Sequence, residues 1–402
     1  MASVVDTSVK HFGSFMGASA PVLNGVAGSL NALIYACAVT GFDAITLTSL
    51  EVSGGIATAT YTGSHSSAID TVVLISGVTG ALVALNGEQK IVAKPSAGVV
   101  RFATAAADGI AAGTITMKIA PLGWLRTFAV GNVASFKSAD PASTGMSLRI
   151  DDSAATIARV VGYESMSDVN TGLGRFPTDV QVPGGGVWPK SNVASAAAVP
   201  WFVVGDGRAF YLWVAPYAVT VPACNSGWVR GFGDMVLLRA SGDAYACALN
   251  YSNQTAVTAG YDGVYGGYGS SVSARTACPR SFTGLGSSVV NYVYPYTGAA
   301  NAVSGCDSTL GGFPSKVDGQ LKFSSLYITE FPEPRAEVPG LYSVPQTFVY
   351  DTFKHLDPAP GTGLLAGRKL LSLQIANSGI TSTPTSGNSG GLFVDVTGPW
   401  AR

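Results

Sequence analysis

The sequence predicts a mainly β fold: a compact β-sandwich inserted into a larger all-β sandwich or jelly-roll-like body, with one short helix near the N-terminus. Three observations predict it. Apolar residues recur in runs of four to eight between clusters of Gly, Asp, Asn, Ser and Pro, the pattern of strands and tight turns. Helical periodicity is confined to one segment. Composition is 47% hydrophobic and only 12% charged across 402 residues, enough apolar surface to build large cores.

The helix is expected over 22–39, VLNGVAGSLNALIYACAV, where Leu30, Leu33, Ile34 and Cys37 form one apolar face and Gly41 follows as a stop. Six strand candidates follow within residues 44–120: AITLTSLEVS, GIATATYTG, DTVVLIS, QKIVAKP, VVRFATA and TITMKIA. Gly54-Gly55, Asn86-Gly87 and Asp108-Gly109 supply turn residues between them, since tight hairpins need residues that accept positive φ. An immunoglobulin-like sandwich is the expected form, without the Cys…Trp…Cys core of antibody domains.

From Gly123 aromatics become dense. Hairpins are expected for SLRIDDS-AATIARVVGYES, for WFVV-GDG-RAFYLWVAP and for VLLRA-SGD-AYACALNY. Residues 321–332, LKFSSLYITEFP, read as a strand, and the Pro-rich FPEPRAEVPGLYSVP reads as an irregular connector. FVYDTF, KLLSLQIA and LFVDVTGPW complete the chain as strands, with a Ser/Thr/Gly loop at 378–391. The expected divisions are 1–43 with the helix, 44–120 as the inserted sandwich, 121–345 as the aromatic-rich body, and 346–402 as strands completing or capping it. With its ends close together, the insert is expected to be a peripheral knob whose deletion leaves the rest folded.

Composition narrows the function classes. Lys and Arg number 23 against 24 Asp and Glu, a net charge of −1, too balanced for a protein that grips nucleic acid or an anionic membrane. The N-terminal MASVVDTSVKHFGSF lacks the form of a secretory signal. The most apolar stretch, Trp201 to Ala223, is broken by Asp206, Arg208 and Pro216 and reads as two buried strands, so no membrane insertion is expected. Five cysteines at irregular spacing (Cys37, Cys224, Cys247, Cys278 and Cys306) read mostly as buried thiols in a reducing cytoplasm, a Cys224–Cys247 or Cys278–Cys306 bridge remaining open. Low charge also favours a subunit packed against copies of itself.

No residue cluster names a reaction. SGNSGGLF at 386–393 echoes a serine-protease loop, but His11, His65 and His355 stand in no matching context. Those histidines form no metal pair, and Asp151, Asp152, Asp168, Asn170 and Asp179 build no calcium loop; they read as turn residues. Glu164 with Asp168, or Glu330 with Glu333, could supply paired carboxylates for sugar cleavage, but a strand-end hydrogen bond and a solvated linker are the plainer roles. No catalytic residue, cofactor or metal is expected. Within GYDGVYGGYG, Tyr261, Tyr265 and Tyr268 suit a binding loop, because Tyr gives contact area at low entropic cost.

Several stretches resemble a family of tailed-bacteriophage virion proteins. LNALIYACAVTGF resembles that family's early helix, usually followed shortly by a Gly-Trp pair; here the pair is Gly123-Trp124, displaced by the inserted unit. SLRIDDS, ARVVGYESMSDVNTGLGRFPT, GGGVWPKS, PWFVVGDGRAFYLWVAP and DVTGPWAR match in type and order. The long insertion and Ala401 before Arg402 depart from the pattern. The insert, with DTVVLISGVTGALVALNGEQKIVA, resembles immunoglobulin-like modules of phage tail proteins. The resemblance implies a non-enzymatic component of the tail tip, baseplate or fibre attachment. It would fold in the bacterial cytoplasm, reside in the virion, and assemble in symmetric copies with other tail proteins. The alternative is a tail protein that recognises a host receptor or surface glycan through its aromatic and Gly-rich loops.

Overall fold

A computed structural model describes residues 3–221, 227–239, 242–253, 274–295, 311–330, 333–346, 348–376 and 389–402. The fold is mainly β, with a barrel among its sheets and one short helix near the N-terminus.

That helix runs over Ser29–Tyr35 and widens into a π-turn at Ala36–Thr40 before Gly41, whose φ of 69° ends it. The expected face is the buried one, with Leu30, Leu33, Ile34 and Cys37 each at most 1% exposed. The helix starts later than its apolar pattern because Gly28 adopts a left-handed conformation and no neighbouring side chain caps it. Its cap comes from Asp152, whose Oδ2 accepts the Leu30 and Asn31 amides at 2.7 and 3.1 Å.

All six strands expected in the insert form. They close into a ring in which Phe42–Ser53 pairs with Ile56–Tyr61, then follow Val99–Ala103, Gly87–Ser96, Val72–Ser76 and Thr116–Ile119, which returns to Phe42–Ser53. Register shifts in Phe42–Ser53 and Gly87–Ser96 let these two long strands turn the corners between the faces. Alternation fills the interior: Ala57, Ala59 and Tyr61 point inward from one strand, Val100 and Phe102 from its neighbour. Asn86-Gly87 is not the hairpin turn expected. A short 3-10 helix, Gly80–Leu85, precedes it, and Asn86 bonds both backbone groups of Val78 at 3.0 and 2.8 Å.

In the body, Trp124–Val130, Val133–Ser138, Ser147–Asp151, Ile157–Tyr163 and Gly186–Pro189 pair in chain order. Cys247–Ser252 joins this series at Val187 and also pairs with Trp228–Asp234, which continues to Ala209–Val214, Trp201–Gly205 and Lys10–Gly13. From its other edge the sheet continues through Ala274–Cys278 and Val289–Pro295 to Ser324–Glu330, Glu333–Ser343, Ser389–Asp395 and Lys369–Ala376.

The strands Trp201–Gly205 and Ala209–Val214 are buried on both faces. Trp201, Val203, Phe210 and Leu212 enter one core; Phe202, Val204, Tyr211 and Trp213 enter a second core against the C-terminal strands. Double burial explains why this stretch reads as nearly continuous apolar sequence.

Three expectations are corrected. FPEPRAEVPGLYSVP is not an irregular connector: Glu333–Ser343 is a central strand. Its prolines fit because Pro334 sits at the strand's start and Pro339 in a bulge, where pairing jumps from Glu337 to Tyr342 and Gly340 has φ 65°. VLLRA and AYACALNY do not pair with each other: Val236–Leu237 joins Glu333–Ser343, while Cys247–Ser252 pairs with Trp228–Asp234. FVYDTF holds a helical turn, Val349–Thr352, instead of a strand.

The insert does not project as a free knob. Its residues share one continuous core with the body. Lys90 donates to the Val396 and Thr397 carbonyls, both at 3.0 Å, Glu88 pairs with Lys10 at 3.1 Å, and Asp70 pairs with Lys369 at 2.5 Å.

Candidate functional site

The turns of the body converge on a pocket of about 470 Å³. Its lining comes from the Ala142–Thr144 turn, from Arg208 of the Gly-Asp-Gly hairpin, from Asp234, Met235 and Leu237, and from Asp243, Ala244 and Ala246. Backbone bonds fix these loops to one another. The Asp234 amide donates to the Arg208 carbonyl at 2.9 Å, and the Met235 amide to Ala246 at 2.8 Å.

Side chains lock the same cluster. Asp234 accepts the Thr144 amide at 2.9 Å and the Thr144 hydroxyl, and pairs with Arg208 Nε at 3.2 Å. Arg402, distant in sequence, reaches Asp206 through Nη2 at 2.7 and 2.6 Å and donates to the Asp234 carbonyl. Below the pocket Arg335, fully buried, binds Asp243 through Nε at 2.8 Å and Glu330 at 3.1 Å. Of these, Arg335 meets Asp243 with two nitrogens on two oxygens, the fork geometry that positions groups firmly.

The carboxylates considered for catalysis are held apart in separate bonds. Glu164 receives both Nε and Nη2 of Arg280 at 2.6 and 2.9 Å. Asp168 accepts the Asn170 amide at 2.7 Å, and that bond holds its carboxyl below the usual range. Glu330 accepts from Ser281, Phe282 and Arg335, and Glu333 pairs with Arg239 at 2.5 Å. Asp151 and Asp179 accept turn amides, from Ser153 and Gly184, and Asp152 caps the helix and pairs with Lys190. Among the described residues no group of three or more His, Cys, Asp or Glu side chains converges.

The histidines are structural in their surroundings. His355 stacks on Trp213 at 3.7 Å, and burial pushes its imidazole down to about 3. His11 lies between the insert and the body, and burial pushes it down to about 4. His65 meets the Ser67 hydroxyl at 2.9 Å through Nδ1 and the Asp43 carbonyl at 2.7 Å through Nε2. That arrangement has the composition of a nucleophile and base, but Ser67 is 1% exposed and sealed from any solute.

Tyr261, Tyr265 and Tyr268 lie outside the described residues, as do Ser386 to Asn388, Cys224 and Cys306. Cys37, Cys247 and Cys278 are buried free thiols, and burial raises the pKa of each. The pocket itself was not legible beforehand. Its Gly-Asp-Gly and Ser-Gly-Asp turns are visible in sequence, but nothing local signals that they meet each other and Arg402.

No protein-family model matches the chain. A search of curated proteins gives no significant match either.

Proposed function

We propose that this protein is a structural component of a bacteriophage tail, at the tip, baseplate or fibre attachment, which assembles in symmetric copies and contacts other virion proteins. The virion assignment rests on the sequence resemblance; the physical support is for assembly. The chain has few charges, and much of that charge is neutralised inside the fold, in pairs such as Lys190–Asp152, Arg335–Asp243 and Arg402–Asp206.

One observation carries the assembly reading. Two loops are tied together by the Arg280–Glu164 pair and by Gln181 Nε2 donating to the Ser288 carbonyl at 2.7 Å. Between these ties they present Leu173, Val180 and Leu285 at 74%, 96% and 73% exposure. Held apolar tips cost little entropy to bury and suit a contact with another chain.

Sedimentation velocity of the purified chain tests this reading, together with its location in an imaged particle. Discrete multimers and a ring at the tail end support it. A free-ended projection supports receptor or glycan recognition instead. Single copies at every concentration, unchanged by Leu173→Asp or Leu285→Asp, refute self-assembly through these loops.

A further inference from the structure

The pocket at the turn cluster has a one-sided hydrogen-bonding inventory. Its two carboxylates are saturated: Asp234 by Thr144 and Arg208, and Asp243 by Arg335 Nε and Nη2 at 2.8 and 3.3 Å and by the Tyr245 amide at 2.9 Å. The groups left open are donors. Arg208 uses Nε on Asp234 and its amide on Asp206, and no described residue accepts from its two terminal nitrogens. Ser143 Oγ accepts the Gly145 amide at 3.2 Å, which leaves its proton free to donate. A ligand that satisfies this wall must therefore bring acceptors, and two parallel guanidinium N–H groups match a carboxylate.

The rest of the lining sets the size and character of the ligand. Leu237 and Ala244 form an apolar ledge beside the donors, backed by the buried Met235 and Ala246. The volume of about 470 Å³ falls within the range of small-ligand sites. Arg208 faces Asp234, Arg402 pairs with Asp206, and Arg335 is shared between Asp243 and Glu330, so the cluster holds one more carboxylate than guanidinium and its attraction for an anion comes from the open N–H groups of Arg208. Asp140, on the neighbouring turn, accepts the Ala142 amide of its own turn at 2.8 Å.

We propose that this pocket binds the carboxylate of an acidic sugar. The Arg208 fork pairs with the carboxylate, Ser143 donates to a ring hydroxyl, and the apolar face of the ring rests on Leu237. This inference does not depend on the virion assignment, because the site belongs to the single chain.

Isothermal titration calorimetry on the full chain tests it, with glucuronate and N-acetylneuraminate as acidic sugars, glucose as the neutral analogue, and acetate as the bare anion. Saturable heat is expected for an acidic sugar, none for glucose, and weaker binding for acetate. Arg208→Lys keeps a positive charge beside Asp234 but loses the fork. It should weaken binding about tenfold or more while retaining the thermal midpoint. Ser143→Ala should weaken binding by a smaller factor and serves as an independent variant. Absence of saturable binding by either acidic sugar overturns the proposal, as does wild-type affinity in both variants. Acetate binding as tightly as the sugars overturns the sugar class and leaves only an anion site.

Discussion

Lys190→Met should be among the most damaging single changes in the body. Lys190 and Asp152 are both fully buried and paired. Lys190 also donates to the Val26 and Ala154 carbonyls at 3.0 and 2.9 Å. Asp152 uses its other oxygen to cap the helix through Leu30 and Asn31. Methionine fills much of the lysine volume but leaves a dry carboxylate without its cation and two carbonyls without a donor. Breaking a buried pair from one side costs about 3–5 kcal/mol. Asp152→Asn should cost a similar amount, because it strands the ammonium. The double variant Asp152→Asn/Lys190→Met removes both charges and keeps an amide oxygen for the helix amides. It should lose less than the two single changes combined, by about 2 kcal/mol or more. Equilibrium urea unfolding followed by tryptophan fluorescence measures all four forms, and Trp188 lies close by in the strand Gly186–Pro189. A Lys190→Met loss under about 1 kcal/mol, or strict additivity in the cycle, would refute the reasoning.

Trp400→Ala should cost about 3–5 kcal/mol. The ring is 4% exposed, lies 5.5 Å from Tyr211 and donates to the Asp395 carbonyl at 2.9 Å. Gly340→Ala should destabilise sharply, since φ there is 65° and an added Cβ would lie 2.2 Å from the Trp400 ring; Trp400→Ala in the same chain should relieve part of that loss, read by thermal melts. Stability should fall on acidification from pH 6.5 to about 4, because His11 and His355 stay neutral in the fold and take up protons only when unfolded. Both native values are depressed, so the unfolded chain binds more protons across that window and stability rises with pH through it. His355→Phe keeps a ring on Trp213 and should flatten this acid limb in urea midpoints measured against pH. Deleting 44–120 should lower both stability and soluble yield, because Lys10 loses Glu88 and the Val396 and Thr397 carbonyls lose Lys90; a truncated chain with the full-length melting midpoint would show the insert to be dispensable.

Local pattern carried much of the fold into view. Period-two alternation located the strands of the insert, and two uninterrupted apolar runs located the doubly buried pair Trp201–Gly205 and Ala209–Val214. Features decided by distant partners stayed hidden. Proline content argued against a strand at 333–343, and only a bulge opposite Ser324–Glu330 makes one possible. Val236–Leu237 follows its neighbour in sequence closely enough to suggest a hairpin, but its partner lies about a hundred residues on, at Ala336 and Glu337. The helix cap shows the same limit, since Gly28 gives no sign that Asp152 will serve it. At the pocket the turn residues were readable one by one. Their convergence depends on Arg402, Asp234 and Arg335 bridging segments that no spacing rule connects.

Because Phe42–Ser53 and Gly87–Ser96 each cross from one face of the insert to the other, its six principal strands are linked in a ring with no terminal strand, although each half of these two strands is paired mainly along one side. Such a ring leaves a neighbour's backbone less open strand edge to grow on than two separate sheets would. Crowded against many identical neighbours, such a unit resists strand exchange and fibre formation, and its contacts with them fall mainly to side chains and loops.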